Sequence, residues 1–156
     1  MTSCFQCITL VAVLSAAVPG TADDWPNWMG PNHNGLSVET GWSASWPKDG
    51  LKPLWQHDVG IGFSSLAIAQ GCVVTMGHYA TGHPESAPGN EQGTEVVHCL
   101  NESSGMVLWQ HRYPCKLVDV LYEGGPGCTP AIVGDFVYAV GKEGQLVCLR
   151  LDDGTV

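Results

Sequence analysis

Six histidines and fifteen acidic side chains are the main chemical resources of this 156-residue chain. His78 and His83 stand close together with Glu85 behind them, in a stretch from His78 to Thr94 that is rich in Gly, Pro, Ser and Glu. Imidazole plus carboxylate is a plausible zinc set. No Cys or His pair shows tight ligand spacing, however, and the stretch has the composition of a surface loop. His78, His83 and Glu85 are therefore read as solvated loop residues. The second candidate is the run from Asp119 to Gly127, where Asp119, Tyr122 and Glu123 lead into Gly124-Gly125-Pro126-Gly127. Its carboxylates could hold calcium through oxygen ligands. The preferred reading is a rigid connector whose glycines meet backbone demands. No Walker-type glycine loop and no Gly-x-Ser-x-Gly nucleophile elbow is present. No catalytic, cofactor-binding or metal residue is assigned.

The composition narrows the classes that remain. A formal net charge of -9 and a low count of Lys and Arg disfavour nucleic acid as a partner, because such binding rests on clustered cations. Only 13% of residues are charged, whereas 20 are Gly and 10 are Pro. That profile excludes helical bundles and coiled coils, and the apolar content of 44% is too high for disorder. A turn-rich, all-β chain is expected.

Residues 1–22 carry no charged side chain, and their apolar stretch from Ile8 to Val18 is too short to span a bilayer. Small residues at Gly20-Thr21-Ala22 follow, as before a signal-peptide cleavage site. No Lys or Arg precedes the apolar stretch, which a misplaced start codon would explain; a buried element of the fold is the competing reading. Export to the periplasm or exterior is expected, with no transmembrane span in the mature chain. Cys4 and Cys7 would leave with the leader, and Cys72, Cys99, Cys115, Cys128 and Cys148 would stay. Five is odd, so the thiols cannot all pair within the chain. Cys115 and Cys128 flank a loop and could form a disulfide, but unpaired, mostly buried thiols are preferred.

An internal repeat supplies the positioning elements. Leu54-Trp55-Gln56-His57 recurs as Leu108-Trp109-Gln110-His111. Ser65-Leu66-Ala67-Ile68 aligns with Thr129-Pro130-Ala131-Ile132, and the match runs on through Val73 with Val137 to Gly77 with Gly141, at an offset of 64 residues. Cys99-Leu100 then aligns with Cys148-Leu149, and Gly105 with Gly154, at an offset of 49. The first copy therefore carries fifteen extra residues between Gly77 and Glu95. Strands are expected at Ser64–Ala69, Cys72–Gly77, Glu95–Leu100 and Met106–Arg112, and in the second copy at Cys128–Val133, Phe136–Gly141 and Gly144–Leu149. Four short antiparallel strands in about 50 residues is the pattern of a propeller blade. Residues 53–58 read as a closing strand whose partners lie beyond Val156, since closure removes exposed sheet edges. His57 and His111 fall at equivalent positions, which argues for a shared structural place. Trp55 and Trp109 are read as structural, because each brings a large apolar area and one N–H.

The run Leu100-Asn101-Glu102-Ser103-Ser104-Gly105-Met106-Val107-Leu108-Trp109 resembles the tryptophan-docking motif of the quinoprotein-like, or PQQ-repeat, propellers. The second copy departs from it, with Arg150 for the usual Asp or Asn and Asp153 for Thr or Ser. Trp25-Pro26-Asn27-Trp28-Met29-Gly30-Pro31 and the segment from Leu121 to Pro130 are also similar to secreted bacterial members. The resemblance covers nearly all of residues 25–156. It implies an eight-bladed propeller in which each such Trp packs on the neighbouring blade. The expected organisation is a signal peptide at 1–22, an extended segment at 23–52 and incomplete propeller repeats at 53–156. This would be a partial β-propeller: about two four-stranded blades plus an N-terminal closing strand, truncated from the full ring, with the missing C-terminal blades as its partners in cis.

Two functions follow as expectations. The first is a non-catalytic exported propeller that presents loops to a protein or polymer partner, with no cofactor in this fragment. The alternative is the N-terminal part of a PQQ-dependent alcohol or sugar dehydrogenase. For that class the resemblance implies PQQ, calcium held by Glu and Asn side chains, a base Asp and often a disulfide between adjacent cysteines. No adjacent cysteine pair occurs, and no residue maps onto those positions. Exposed strand edges also predict that the chain associates or is poorly soluble.

Overall fold

β-Prone runs alternate with glycine turns along this chain. The computed structural model, which describes residues 22–86, 92–117 and 124–156, arranges them as two antiparallel sheets with no helix. Sheet one holds β1 (Ala67–Ala69), β2 (Cys72–Tyr79), β3 (Thr94–Asn101) and β4 (Val107–Pro114) in that order. Sheet two holds β5 (Ala131–Val133), β6 (Phe136–Val140) and β7 (Leu146–Arg150). Each strand pairs with its neighbour in sequence, so both sheets are simple meanders. Gln70 (φ 54°) and Gly71 (φ 75°) turn β1 into β2; two successive positive φ values match the twist of a tight hairpin. In β4, Cys99 faces Trp109 while Leu100 faces Val107, so Leu108 forms a bulge.

Alternation along the strands gives each sheet two faces. The trailing face of sheet one carries Ala67, Val74, Met76, Val97, Cys99 and Trp109. It packs against the leading face of sheet two, made of Ile132, Val137, Ala139, Val147 and Leu149. This contact is the hydrophobic core. The short strands β1 and β5 lie beside each other. The chain start ties them together. Trp25 exchanges both backbone hydrogen bonds with Ile68 (2.7 and 2.9 Å), and the Pro26 carbonyl accepts from Ile132 N–H at 2.8 Å.

The two tryptophans act as wedges of the same construction. The Trp109 indole N–H donates to the Leu151 carbonyl at 2.7 Å, and its ring covers Gly154, where a Cβ would stand 2.6 Å from the indole. The Trp55 indole N–H donates to the Glu102 carbonyl at 2.8 Å, and its ring covers Gly105, where a Cβ would stand 2.5 Å away. Both glycines have positive φ, 68° at Gly105 and 72° at Gly154. Asn101 shapes the first turn: its Oδ1 accepts from the Ser104 N–H and from the Ser103 and Ser104 hydroxyls. In the second turn Asp153 Oδ1 accepts from Thr155 N–H and hydroxyl. Different side chains therefore present the same glycine and the same carbonyl. Arg150 meanwhile turns to Asp152 in a surface ion pair.

Several expected boundaries shift. β2 runs two residues further, to Tyr79, and β3 starts at Thr94, so His78 belongs to a strand and not to the inserted loop. The reason is the cross-strand pairing of His78 with Glu95 and Tyr79 with Thr94, which continues the ladder beyond the apolar residues. β5 and β7 begin later than expected, at Ala131 and Leu146. Residues 53–58, read as a closing strand, belong to no sheet among the described residues. The five described cysteines are free; Cys115 is buried and Cys128 exposed. No helix among the described residues is long and apolar enough to cross a membrane. The leader apart from Ala22, with Cys4 and Cys7, lies outside the described residues, as do Asp119, Tyr122 and Glu123.

Candidate functional site

Polar residues concentrate at the end of sheet one where β2 and β4 finish, the end from which the β2–β3 and β4–β5 connections leave. On the leading face, strand alternation puts Thr75, His98 and Gln110 in one cross-strand row, and Gly77, Val96 and Arg112 in the next. Residues 57–63 lie over them. Gly77 has to lack a side chain, because a Cβ there would overlap the Val59 carbonyl oxygen. His78 and Ile61 then exchange backbone hydrogen bonds at 2.8 and 3.0 Å.

Beneath this strap lies a band of titratable groups. The His98 ring is fully buried and sits 5.9 Å from the ring of His57 and 5.9 Å from that of Tyr79. The Tyr79 hydroxyl donates to the Asp58 carbonyl at 3.0 Å, and its ring stacks on His83 at 4.7 Å. His83 Nδ1 accepts from Glu85 N–H at 3.1 Å. Glu85 pairs in turn with Arg112. Burial, followed by the charges of His57 and Arg112, lowers the His98 pKa to about 4. Burial and then the negative charges of Asp58 and Glu85 push Tyr79 up to about 12.

The trailing face at the same end holds a second polar row, His78, Glu95 and Tyr113. Glu95 is fully buried, and its carboxylate latches the two sheets together. It accepts from the Tyr113 hydroxyl at 2.8 Å and from the Lys142 backbone N–H at 3.0 and 3.1 Å. Gly141 makes room, since a Cβ there would come within 2.5 Å of both Glu95 Oε2 and the Tyr113 hydroxyl. The His78 ring Nε2 donates to the Cys115 carbonyl at 3.0 Å. Burial and the Glu95 charge raise the Cys115 thiol to about 12.

The candidates from sequence separate under this geometry. His78 is buried in β2, while His83 and Glu85 are committed to Tyr79 and Arg112. Among the described residues no three His, Cys, Asp or Glu side chains gather as a metal set. His57 and His111 both follow a wedge tryptophan by two residues, but their ring neighbours differ: His98 for one and Tyr113 for the other. In the connector, Gly125 has φ 75°, and a Cβ on it would stand 2.6 Å from the Ile61 carbonyl oxygen. Phe63 N–H donates to the Pro126 carbonyl at 2.8 Å beside it. This part of the run is thus packed backbone, as the connector reading requires. Gly125→Ala is expected to cost about 1–3 kcal/mol through that overlap and the positive φ, measured as a lower urea midpoint; an unchanged midpoint would show that the connector is not held against Ile61.

His98, Gln110, Arg112, Glu95 and Tyr113 were not singled out from sequence. Their signal was available in principle, as polar residues at inward positions of otherwise apolar strands. Chemically, the band holds His98 neutral and Tyr79 protonated at neutral pH. A general acid or base works best with a pKa near the working pH, and neither group has one. The loop end of the sheets carries residues 80–86, 92–93 and 124–130. No family model matches the chain, and no relative was found among curated proteins.

Proposed function

We propose that this chain forms consecutive blades of an exported quinoprotein-like β-propeller that acts as a binding scaffold, with partner contacts made by the loop end of the sheets. One observation carries the reading: the wedge geometry occurs twice, with Trp55 on Gly105 and Trp109 on Gly154, each closed by an indole-to-carbonyl hydrogen bond. A meander whose tryptophan docks on the turn of the following unit is a stacking rule that can be repeated around a ring. Export rests on the apolar, uncharged leader pattern and would place the chain in the periplasm or outside the cell. The partner is a protein or polymer, and the acidic charge disfavours nucleic acid.

The state of two carboxylates at the polar end of sheet one supports the reading without calcium and PQQ. The Glu95 carboxylate is enclosed and already accepts three hydrogen bonds, and Glu85 is paired with Arg112. Neither is available as an oxygen ligand to a cation. A titration of the purified protein with PQQ and calcium, followed by tryptophan fluorescence and by alcohol oxidation with an artificial electron acceptor, tests this. The expected outcome is no saturable quenching and no turnover. Stoichiometric binding with turnover would overturn the scaffold reading in favour of a dehydrogenase.

A further inference from the structure

Strand register brings two of the five described cysteines together. Cys72 opens β2 opposite Asn101, and Cys99 lies in β3 opposite Val74, so the two are diagonal neighbours across one ladder. Alternation puts Cys72, Val74 and Cys99 on the same trailing face. Disulfides span Cα separations of up to about 7 Å, which is the lower end of the diagonal distance in a sheet. The side chains close the remaining gap, since the two thiols share a hydrogen bond. The other cysteines are engaged elsewhere. The Cys115 thiol donates to the Lys116 carbonyl and the Cys128 thiol to the Thr129 carbonyl. Cys148 lies opposite Tyr138 in sheet two.

The two members of the pair differ in their surroundings. Cys99 is fully buried opposite Trp109, and burial, then the neighbouring Cys72, pushes its thiol well above the usual range. Cys72 is half-buried. It packs against the core on one side and on the other lines a cavity of about 380 Å³ with Gln70, Asp135, Arg150, Leu151 and Asp152. Cys72 is therefore the thiol that an external oxidant meets first.

We infer that Cys72 and Cys99 are a redox-active pair, which closes to a disulfide on exchange with a small-molecule disulfide and reopens in excess thiol. With glutathione disulfide, Cys72 Sγ gives its proton to water, attacks one sulfur and expels one glutathione thiolate. Cys99 Sγ then gives up its proton, attacks Cys72 Sγ in the mixed disulfide and expels the second glutathione. The two protein thiols lose two electrons, and the glutathione disulfide gains them to become two thiols. Burial disfavours the Cys99 thiolate, so the second step is the slow one. The new bond ties β2 to β3 and closes a loop around the connection between them, which restricts the unfolded chain more than the folded one. An exported chain would meet oxidising conditions, but the pairing itself rests on the register of sheet one and not on the scaffold reading.

Peptide mapping and urea unfolding of the full chain test the inference. The protein is purified reduced, incubated with glutathione disulfide, denatured with its free thiols blocked, and cut after glutamate, which separates Cys72 from Cys99 at Glu85 and Glu95. The expected product is one linked pair of peptides, carrying Cys72 and Cys99, that separates on reduction. Oxidation should also raise the urea midpoint by about 1 M, the shift a typical disulfide gives a small domain. Cys72→Ser replaces a half-buried thiol with a group of similar size, and its midpoint should not rise on the same treatment. Cys72 and Cys99 recovered with free thiols, either of them linked to a different cysteine, or an equal rise in Cys72→Ser would overturn the pairing. None of these outcomes touches the wedge tryptophans, so the propeller reading is decided separately by their variants.

Discussion

Trp109→Ala lowers the stability of the chain by about 3–5 kcal/mol, the range for deleting a large buried aromatic side chain, while Trp55→Ala costs clearly less. The difference comes from burial. Trp109 is 7% exposed in the core between the sheets, whereas Trp55 is only half-buried on the outer side of sheet one. Removing Trp109 also strands the Leu151 carbonyl, which accepts the indole N–H. Trp109→Phe keeps most of the apolar contact and loses that bond, so it should cost less than Trp109→Ala. Gly154→Ala approaches the same joint from the other side. Its Cβ would enter the indole at 2.6 Å and its φ is 72°, so a loss of about 1–3 kcal/mol is expected. Urea unfolding followed by circular dichroism measures all four variants. Equal losses for Trp55→Ala and Trp109→Ala would mean that the wedges do not differ in burial. A loss under about 1 kcal/mol for Trp109→Ala would remove the wedge as the joint between the sheets.

The wedge was legible in the sequence because its parts are chemically fixed. A glycine free to take positive φ, a tryptophan four residues later and the same tryptophan one repeat earlier leave few alternative arrangements. The repeat offsets then located all seven strands to within a few residues. The polar rows were harder to see. His78 and Glu95 look like loop residues in a window of Gly, Pro and Ser, and hydropathy cannot distinguish a solvated carboxylate from one enclosed by Tyr113 and Lys142. What makes them strand residues is mutual pairing across β2 and β3, a contact between positions seventeen residues apart. His98 was hidden for a related reason. Its neighbours Val96, Val97, Cys99 and Leu100 predict a buried strand, and nothing local indicates that His57 arrives from outside the sheet to cover the one imidazole in it. The metal candidate failed because its members serve separate local structures, one inside the sheet and two at its rim.

Acid should loosen the strap before it dissolves the rest of the fold, and His98 sets the pH at which this happens. The Gln110 side-chain Nε2 donates to His98 Nδ1 at 3.0 Å, which leaves the ring proton on Nε2. That Nε2 is buried with no hydrogen-bond partner among the described residues. A second proton must therefore enter at Nδ1 against a donor, on a fully buried ring, with His57 and Arg112 nearby and only Glu85 and Asp58 to offset them. The folded pKa of about 4 lies below the ordinary value of 6.5, so the folded chain binds fewer protons than the unfolded chain between these values. Stability from this group is complete above about pH 6.5 and declines as the pH falls toward 4, a loss of about 3 kcal/mol over the window. Burial lowers the pKa of His111 too, which adds to the decline in the same direction. His98→Leu removes the largest contribution, so its urea midpoint should change far less than that of the wild type between pH 7 and 4.5. Parallel curves for the two proteins would show that His98 takes up its proton in place. A strap that opens first gives a second signature: amide exchange at Ile61 and His78, which hold the strap to β2, should accelerate on acidification while Val97 and Leu149 in the core remain protected.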